Sequence, residues 1–122
     1  MRQLIREKRK IFFQSFAPFF FPNSHLVIAG DFNSYDSALD NMGGSVSIDP
    51  NFSELKSVNA LKDAWRLKHR KETLFTWCNS DLSKASRLDT FLISCFLDKQ
   101  VISCKIHPCV YSNHDFVFLE LG

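Results

Sequence analysis

Four short strings in this chain place polar, reactive side chains next to apolar runs. They are Gly30-Asp31-Phe32-Asn33, Thr76-Trp77, Ser86-Arg87-Leu88-Asp89 and Ser112-Asn113-His114-Asp115. The first follows Leu26-Val27-Ile28-Ala29. The third and fourth precede Thr90-Phe91-Leu92-Ile93 and Phe116-Val117-Phe118-Leu119. Acids, amides and a histidine at the ends of such runs can converge on one rim of a sheet, an arrangement suited to metal-assisted hydrolysis. Asp31 and Asn33 flank Phe32, and strand alternation puts both on one face. A carboxylate there can hold a divalent cation or take a proton from water, and an amide can hold a phosphate oxygen. Asp and Asn after a strand are also ordinary turn formers. The β-branched side chain of Thr76 suits a strand. Arg87 either reaches a phosphate or braces the region around Asp63. Trp65 and Trp77 read as core aromatics. His25, His69 and His107 read as surface residues.

Elements that can position these groups follow from the pattern. Residues 3–17 read as a helix, with Ile5, Phe12 and Phe16 on one face until Pro18 stops it. Pro22-Asn23-Ser24 turns the chain into a strand over 25–30. Residues 34–50 carry Asp36, Asp40, Gly43, Gly44 and Pro50 and read as a loop with one helical turn. Ser53 can cap a short helix to about residue 61, and residues 63–66 can form another. Strands are expected at 74–78, 88–94, 101–107 and 114–120, with a polar hairpin loop over 79–85. Strands and short helices without regular alternation argue α+β, with a mostly antiparallel sheet.

A chain of 122 residues is one domain or a piece of one. Its net charge of +2 is too small to argue for a nucleic-acid partner. A basic patch must therefore be local, and Arg66, Lys68, His69, Arg70 and Lys71 form the strong candidate outside the N-terminus. A solvated loop is the competing reading. Cys78, Cys95, Cys104 and Cys109 form no CxxC pair, which argues against zinc and for free thiols in a reducing compartment. The basic N-terminus before a Phe-rich run superficially resembles a secretion signal, but Gln14, Ser15 and Pro18 interrupt it and no small-residue cleavage site follows. It is also too short to span a bilayer.

In this order, the four strings resemble the endonuclease/exonuclease/phosphatase superfamily, which includes apurinic endonucleases, pancreatic-type deoxyribonuclease and inositol polyphosphate 5-phosphatases. With Leu61-Lys62-Asp63-Ala64-Trp65-Arg66, Thr73-Leu74-Phe75-Thr76-Trp77 and Ala85-Ser86-Arg87-Leu88-Asp89, the chain is most similar to the endonuclease domain of LINE-type (non-LTR) retrotransposons. The resemblance runs from about Phe12 to Leu121 and covers the C-terminal half of that domain. It implies half of a four-layer α/β sandwich, with residues 1–122 as a partial domain and the other half lying before Met1. A lone half should expose an apolar sheet face and self-associate.

The resemblance also implies Mg²⁺-dependent hydrolysis of a DNA phosphodiester, leaving a 3′-hydroxyl that can prime reverse transcription. Asp31 and Asn33 would position water. His114 would stabilise charge on the phosphate, with Asp89 orienting it. Thr76 and Arg87 would contact substrate, and Asp31 and Asn113 would serve the metal. The family string reads Ser-Asp-His where this chain has Ser112-Asn113-His114. Asn keeps the shape and loses the charge, so Mg²⁺ binding should weaken and catalysis be impaired. The main metal-binding glutamate and an early asparagine belong to the other half, and Glu7, Glu54, Glu72 and Glu120 do not replace them. Two alternatives remain open. One is a non-catalytic relic that binds DNA or protein. The other is a phosphoesterase of the same superfamily acting on small phosphates or lipids.

Overall fold

A computed structural model describes residues 2–20 and 24–122. The turn expected at Pro22 and Asn23 lies outside them. Helix α1 spans Arg2–Gln14 and is followed by a 3₁₀ turn, Ala17–Phe19. The helix is shorter than its pattern suggested because of Pro18. A proline ring clashes with the carbonyl four residues earlier, here that of Gln14, and cannot donate to it.

Strand β1, Val27–Asp31, enters the central sheet. A 3₁₀ turn at Ala38–Asp40 and the two-residue strand β2, Asn41–Met42, interrupt the loop that follows. Helix α2, Pro50–Val58, starts three residues before the cap expected at Ser53. Asp49 caps it instead, accepting from the Asn51 N–H at 2.9 Å. Pro50 then occupies the first turn, where a missing N–H costs nothing. Strand β3, Leu61–Asp63, runs into helix α3, Ala64–Lys68, whose N-cap is Asp63. The strand expected over 74–78 is reduced to β4, Trp77–Cys78, which pairs with β5, Ala85–Ser86. Strand β6, Asp89–Ser94, leads through a 3₁₀ segment to β7, Val101–His107, and β8, Phe116–Leu121, closes the fold.

All strand pairs are antiparallel. The central sheet has the order β1-β6-β3, β2-β5-β4 form a second, and β7 pairs with β8. Both faces of β6 are covered around Phe91-Leu92-Ile93, its three consecutive apolar residues. On one face, Leu92 and Leu61 pack with Phe13, Phe32, Phe52 and Leu55 beneath α1 and α2. On the other, Ile93 packs with Trp65, Leu97, Val101 and Cys104, joined by Val117 and Leu119 of β8. Each large side chain so buried contributes about 1.5–3 kcal/mol relative to exposure. The fold is α+β, a partial α/β sandwich built on antiparallel sheets.

Two placements differ from the expected pattern. The buried stripe of α1 is Phe13 with Phe16, continued by Phe20, while Ile5 and Phe12 are exposed. Phe13 wins because it meets an aromatic cluster, with ring centroids 6.5 Å from Phe32 and 6.0 Å from Phe52. The main exposed apolar face is also not on the central sheet, where α1, α2, α3 and the β7–β8 pair cover β6 and edge strand β1 leaves Val27 exposed. It lies on the outward side of β8, where Phe116 and Phe118 are more than half exposed. Among the described residues no helix is long and apolar enough to cross a membrane.

Candidate active site

Register brings two acids together. In the β1–β6 ladder Asp31 stands directly opposite Asp89, and the Phe32 N–H continues the pairing to the Leu88 carbonyl at 2.9 Å. Opposed residues of an antiparallel pair share a face, and like charges there are unfavourable unless something offsets them. The face is the one carrying Phe91 and Ile93, against which β8 packs. His114 lies two residues before β8, so its ring reaches the acid pair. Its Nδ1 is 2.7 Å from Asp89 Oδ2, and its Nε2 is 3.8 Å from Asp31 Oδ2. A carboxylate only accepts, so Nδ1 carries the hydrogen and Nε2 is the nitrogen left for Asp31 and solvent. The histidine is about one-third exposed and Asp31 a little more, so an incoming group can reach them.

Backbone pairing holds the histidine loop in place. Trp77 and His114 form an antiparallel bridge. The Cys78 N–H donates to the Asn113 carbonyl at 3.2 Å, and the Asp115 N–H donates to the Thr76 carbonyl at 2.7 Å. Ser112 Oγ accepts from the His114 N–H, and Asp115 Oδ1 accepts from the Cys109 N–H. These bonds use the polar residues around His114 to shape the loop.

Asp31 Oδ1 accepts from the Asn33 N–H at 2.9 Å, and Asn33 has a left-handed φ of 48°. The Asp-Phe-Asn string is therefore a turn as well as the edge of the cluster. Strand alternation ends at Asp31, so the turn and not the strand sets the direction of Asn33, which is exposed. Phe32, buried between them, anchors the turn to the core.

Thr76 and Arg87 act inside the structure. Thr76 is buried, and its Oγ1 accepts from the backbone N–H groups of Leu88 at 2.9 Å and Asp89 at 3.1 Å. It fixes the start of β6 and does not line the solvent rim. Arg87 is also buried, and of the two readings open for it the structure shows the brace. Its Nε donates to Asp40 Oδ1 at 2.8 Å, its Nη1 to Asp63 Oδ1 at 3.1 Å, and its Nη2 to both acids. Arg66 closes the network on Asp40. The guanidinium carbons of both arginines lie 4.9 Å from the Trp65 ring centre. Burial alone would lower the Arg87 pKa, but Asp63 and Asp40 more than reverse this, holding it above the ordinary arginine range.

Sequence reasoning missed Asp40, which lies 47 residues from its partner in a stretch that looks like loop. It also gave Asp89 only as a partner for the histidine. Its carboxylate belongs equally to the three-residue cluster, where Asp31, Asp89 and His114 each bring a ligand atom within 4.8 Å of the others.

The basic run at 66–71 is divided. Arg66 is in the network, and His69 is half-buried rather than on the surface. Its ring stacks on Trp65 with centroids 4.5 Å apart, its Nε2 meets the Cys104 carbonyl at 2.9 Å, and its Nδ1 faces Glu72. Lys68, Arg70 and Lys71 are exposed, as are His25 and His107. The four cysteines are free. Burial, with the Asp63 charge adding to it, pushes the Cys104 thiol up to about 12.

The donor set suits a hard divalent cation, which takes oxygen ligands and is often held through one or two carboxylates. Asp31 and Asp89 supply that number. Asn113 stands exposed beside His114 and adds no charge.

The arrangement of sheets is that of exonucleases, AP endonucleases and DNA phosphatases of known structure. One is a 3′–5′ exonuclease from Neisseria meningitidis, with a TM-score of 0.71 and 18% identity over 93% of this chain and 50% of that one. Another is an AP endonuclease from Leishmania major, with a TM-score of 0.75 and 15% identity over 96% of this chain and 42% of that one. A further structure of the Neisseria enzyme, described as a 3′ phosphatase bound to a product DNA hairpin, has a TM-score of 0.72 and 17% identity over 93% of this chain and 50% of that one. At such identities the likeness shows the fold. The chain spans about half the length of these proteins. No protein-family model and no curated protein matches the sequence.

Proposed function

We propose that this chain is the C-terminal portion of a Mg²⁺-dependent phosphodiesterase of the DNA-endonuclease kind, related to those of LINE-type retrotransposons and catalytically impaired. The observation that carries the reading is the His114 ring held between Asp89 and Asp31 at the ends of two paired strands. The DNA-processing enzymes that share the fold support it.

Each residue has a role that its geometry permits. Asp89 fixes the ring and tautomer of His114 through Nδ1. That leaves Nε2 to donate, when protonated, to a phosphate oxygen as charge builds in the transition state. Asp31, half-exposed, orients water or accepts its proton, with the Asn33 amide beside it. Asp31 and Asp89 would hold the cation, with Asn113 as a weak third contributor. A bound Mg²⁺ supplies charge neutralisation for the phosphoryl oxygens. Asn113 brings no such carboxylate charge, which is the reason impairment is expected.

A nicking assay tests this. The 122-residue chain, with or without Asn113→Asp, should show no Mg²⁺-dependent nicking of supercoiled plasmid. Joined to a family N-terminal half, the Asn113→Asp chain should nick clearly faster than the unmodified one, and His114→Ala should remove the gain. A His114-dependent nick by the isolated chain would refute the impairment. A joined Asn113→Asp chain that never nicks would favour a second reading, a non-catalytic binding module, for which the exposed Phe116 and Phe118 are the supporting observation.

A further inference from the structure

We propose that the N-terminal half of α1 is the track by which a nucleic-acid backbone reaches the Asp31–Asp89–His114 cluster, with Arg6, Lys8 and Arg9 contacting its phosphates. This rests on the phosphodiesterase reading and adds the surface that holds the substrate.

The chain reverses between α1 and β1, so the start of the helix lies beside the end of the strand, where Asp31 sits. A groove of about 300 Å³ joins them, lined by Ile5, Lys8, Arg9 and Phe12 on the helix and by Asp31 and Asn33 on the rim. A second groove, of about 450 Å³, continues from it. The two share Ile5 and Arg9, and the second adds Arg6 and Val46. The helix approaches from the sheet face opposite to His114, so the track passes around the end of β1.

Charge gives this placement its meaning. Two opposed carboxylates repel a polyanion, and the cations that offset them must stand close by, within a Debye length of about 8–10 Å. The described side chains of α1 supply Arg6, Lys8, Arg9 and Lys10 against a single acid, Glu7. Arg6 and Lys8 are exposed. Arg9 keeps 42% of its side chain exposed while pairing with Asp49 at 3.7 Å. In the other basic run Arg66 and His69 are committed to internal bonds, and the exposed Lys68, Arg70 and Lys71 do not line the groove that ends at Asp31. Ile5 and Phe12, 47% and 52% exposed on the same groove, offer apolar surface to a sugar or an unpaired base. A basic helix with exposed apolar groups also suits an anionic lipid surface. The groove ends at Asp31 of the cluster, however, which favours a substrate over a headgroup layer, and Phe13 and Phe16 are turned into the core.

Fluorescence anisotropy with a fluorescein-labelled DNA duplex, over a salt series, tests the proposal on the full chain. Arg6→Gln with Lys8→Gln removes two exposed charges. Lys68→Gln with Arg70→Gln removes two others as a matched control, and circular dichroism checks the fold of each. The first pair should weaken binding about tenfold at low salt and reduce the slope of log K against log salt by about 1.8, as expected for two lost phosphate contacts. The control should leave both unchanged. On the unmodified chain, duplex should protect Lys8 from amine labelling and leave Lys68 reactive. Equal effects of the two pairs, no effect of the first, no protection of Lys8, or no DNA binding at all would overturn the proposal. So would displacement of the duplex by phosphatidylserine vesicles with the same dependence on Arg6 and Lys8, which would make α1 a membrane surface. Loss of the α1 effect together with intact His114-dependent nicking by the joined Asn113→Asp chain would reject the track and leave the phosphodiesterase reading standing.

Discussion

Replacing Arg87 with Met should destabilise the chain by several kcal/mol while leaving Asp31, Asp89 and His114 in the sequence. Arg87 donates four hydrogen bonds to Asp40 and Asp63, and the Arg87 and Asp40 side chains are only 3% and 1% exposed. Met fills similar volume but leaves Asp40 facing Arg66 alone, and it leaves Asp63 with the Arg66 backbone N–H. Removing one partner of a buried ion pair costs about 3–5 kcal/mol, and the surviving Arg66 contact places the expectation near 3. A chain of this length unfolds with an entropy of roughly 0.26 kcal/mol/K, so Tm should fall by about 12 °C. Urea titration followed by Trp fluorescence reports it directly, because Trp65 lies against Arg87. Asp40→Asn added to Arg87→Met should recover part of the loss, since the buried charge is then gone. A loss from Arg87→Met below about 1 kcal/mol, the effect of an arbitrary substitution, would refute the claim that Arg87 is a buried brace for Asp40 and Asp63.

Thr76→Val, nearly isosteric, should cost about 1–3 kcal/mol by orphaning the Leu88 and Asp89 N–H groups, and the Nδ1–H signal of His114 in nuclear magnetic resonance should broaden or shift. Cys104 should resist thiol reagents in the folded chain, whereas Cys78, Cys95 and Cys109, which are partly exposed, should react; equal rates for all four would contradict its burial. Its raised pKa means that the folded state keeps a proton that the unfolded thiol loses. That contribution to stability is intact below pH 9.0 and should be lost as pH rises from there to about 12, read as a falling urea midpoint. Phe116→Ser with Phe118→Ser should reduce self-association by light scattering and the binding of a hydrophobic dye; no change in either would remove β8 as the exposed apolar face.

The α+β class, the strand texts and the strings that carry the cluster were legible in the sequence because they depend on local order. Alternation, turn residues and a run such as Thr90-Phe91-Leu92-Ile93 depend on neighbours a few residues away. Pro18 stopped α1 as its chemistry requires, though three residues sooner than the apolar pattern suggested. What only the tertiary structure decided depends on partners far along the chain. The one-to-one register of Asp31 with Asp89 sets the cluster's spacing, and pairing of residues 113–115 with 76–78 aims the His114 ring. Neither is written in any short stretch. Arg87 and Thr76 have side chains suited equally to a phosphate rim or a buried brace. Burial beside Asp40, Asp63 and the start of β6 made them braces, because a charge or hydroxyl removed from water must be satisfied where it lies.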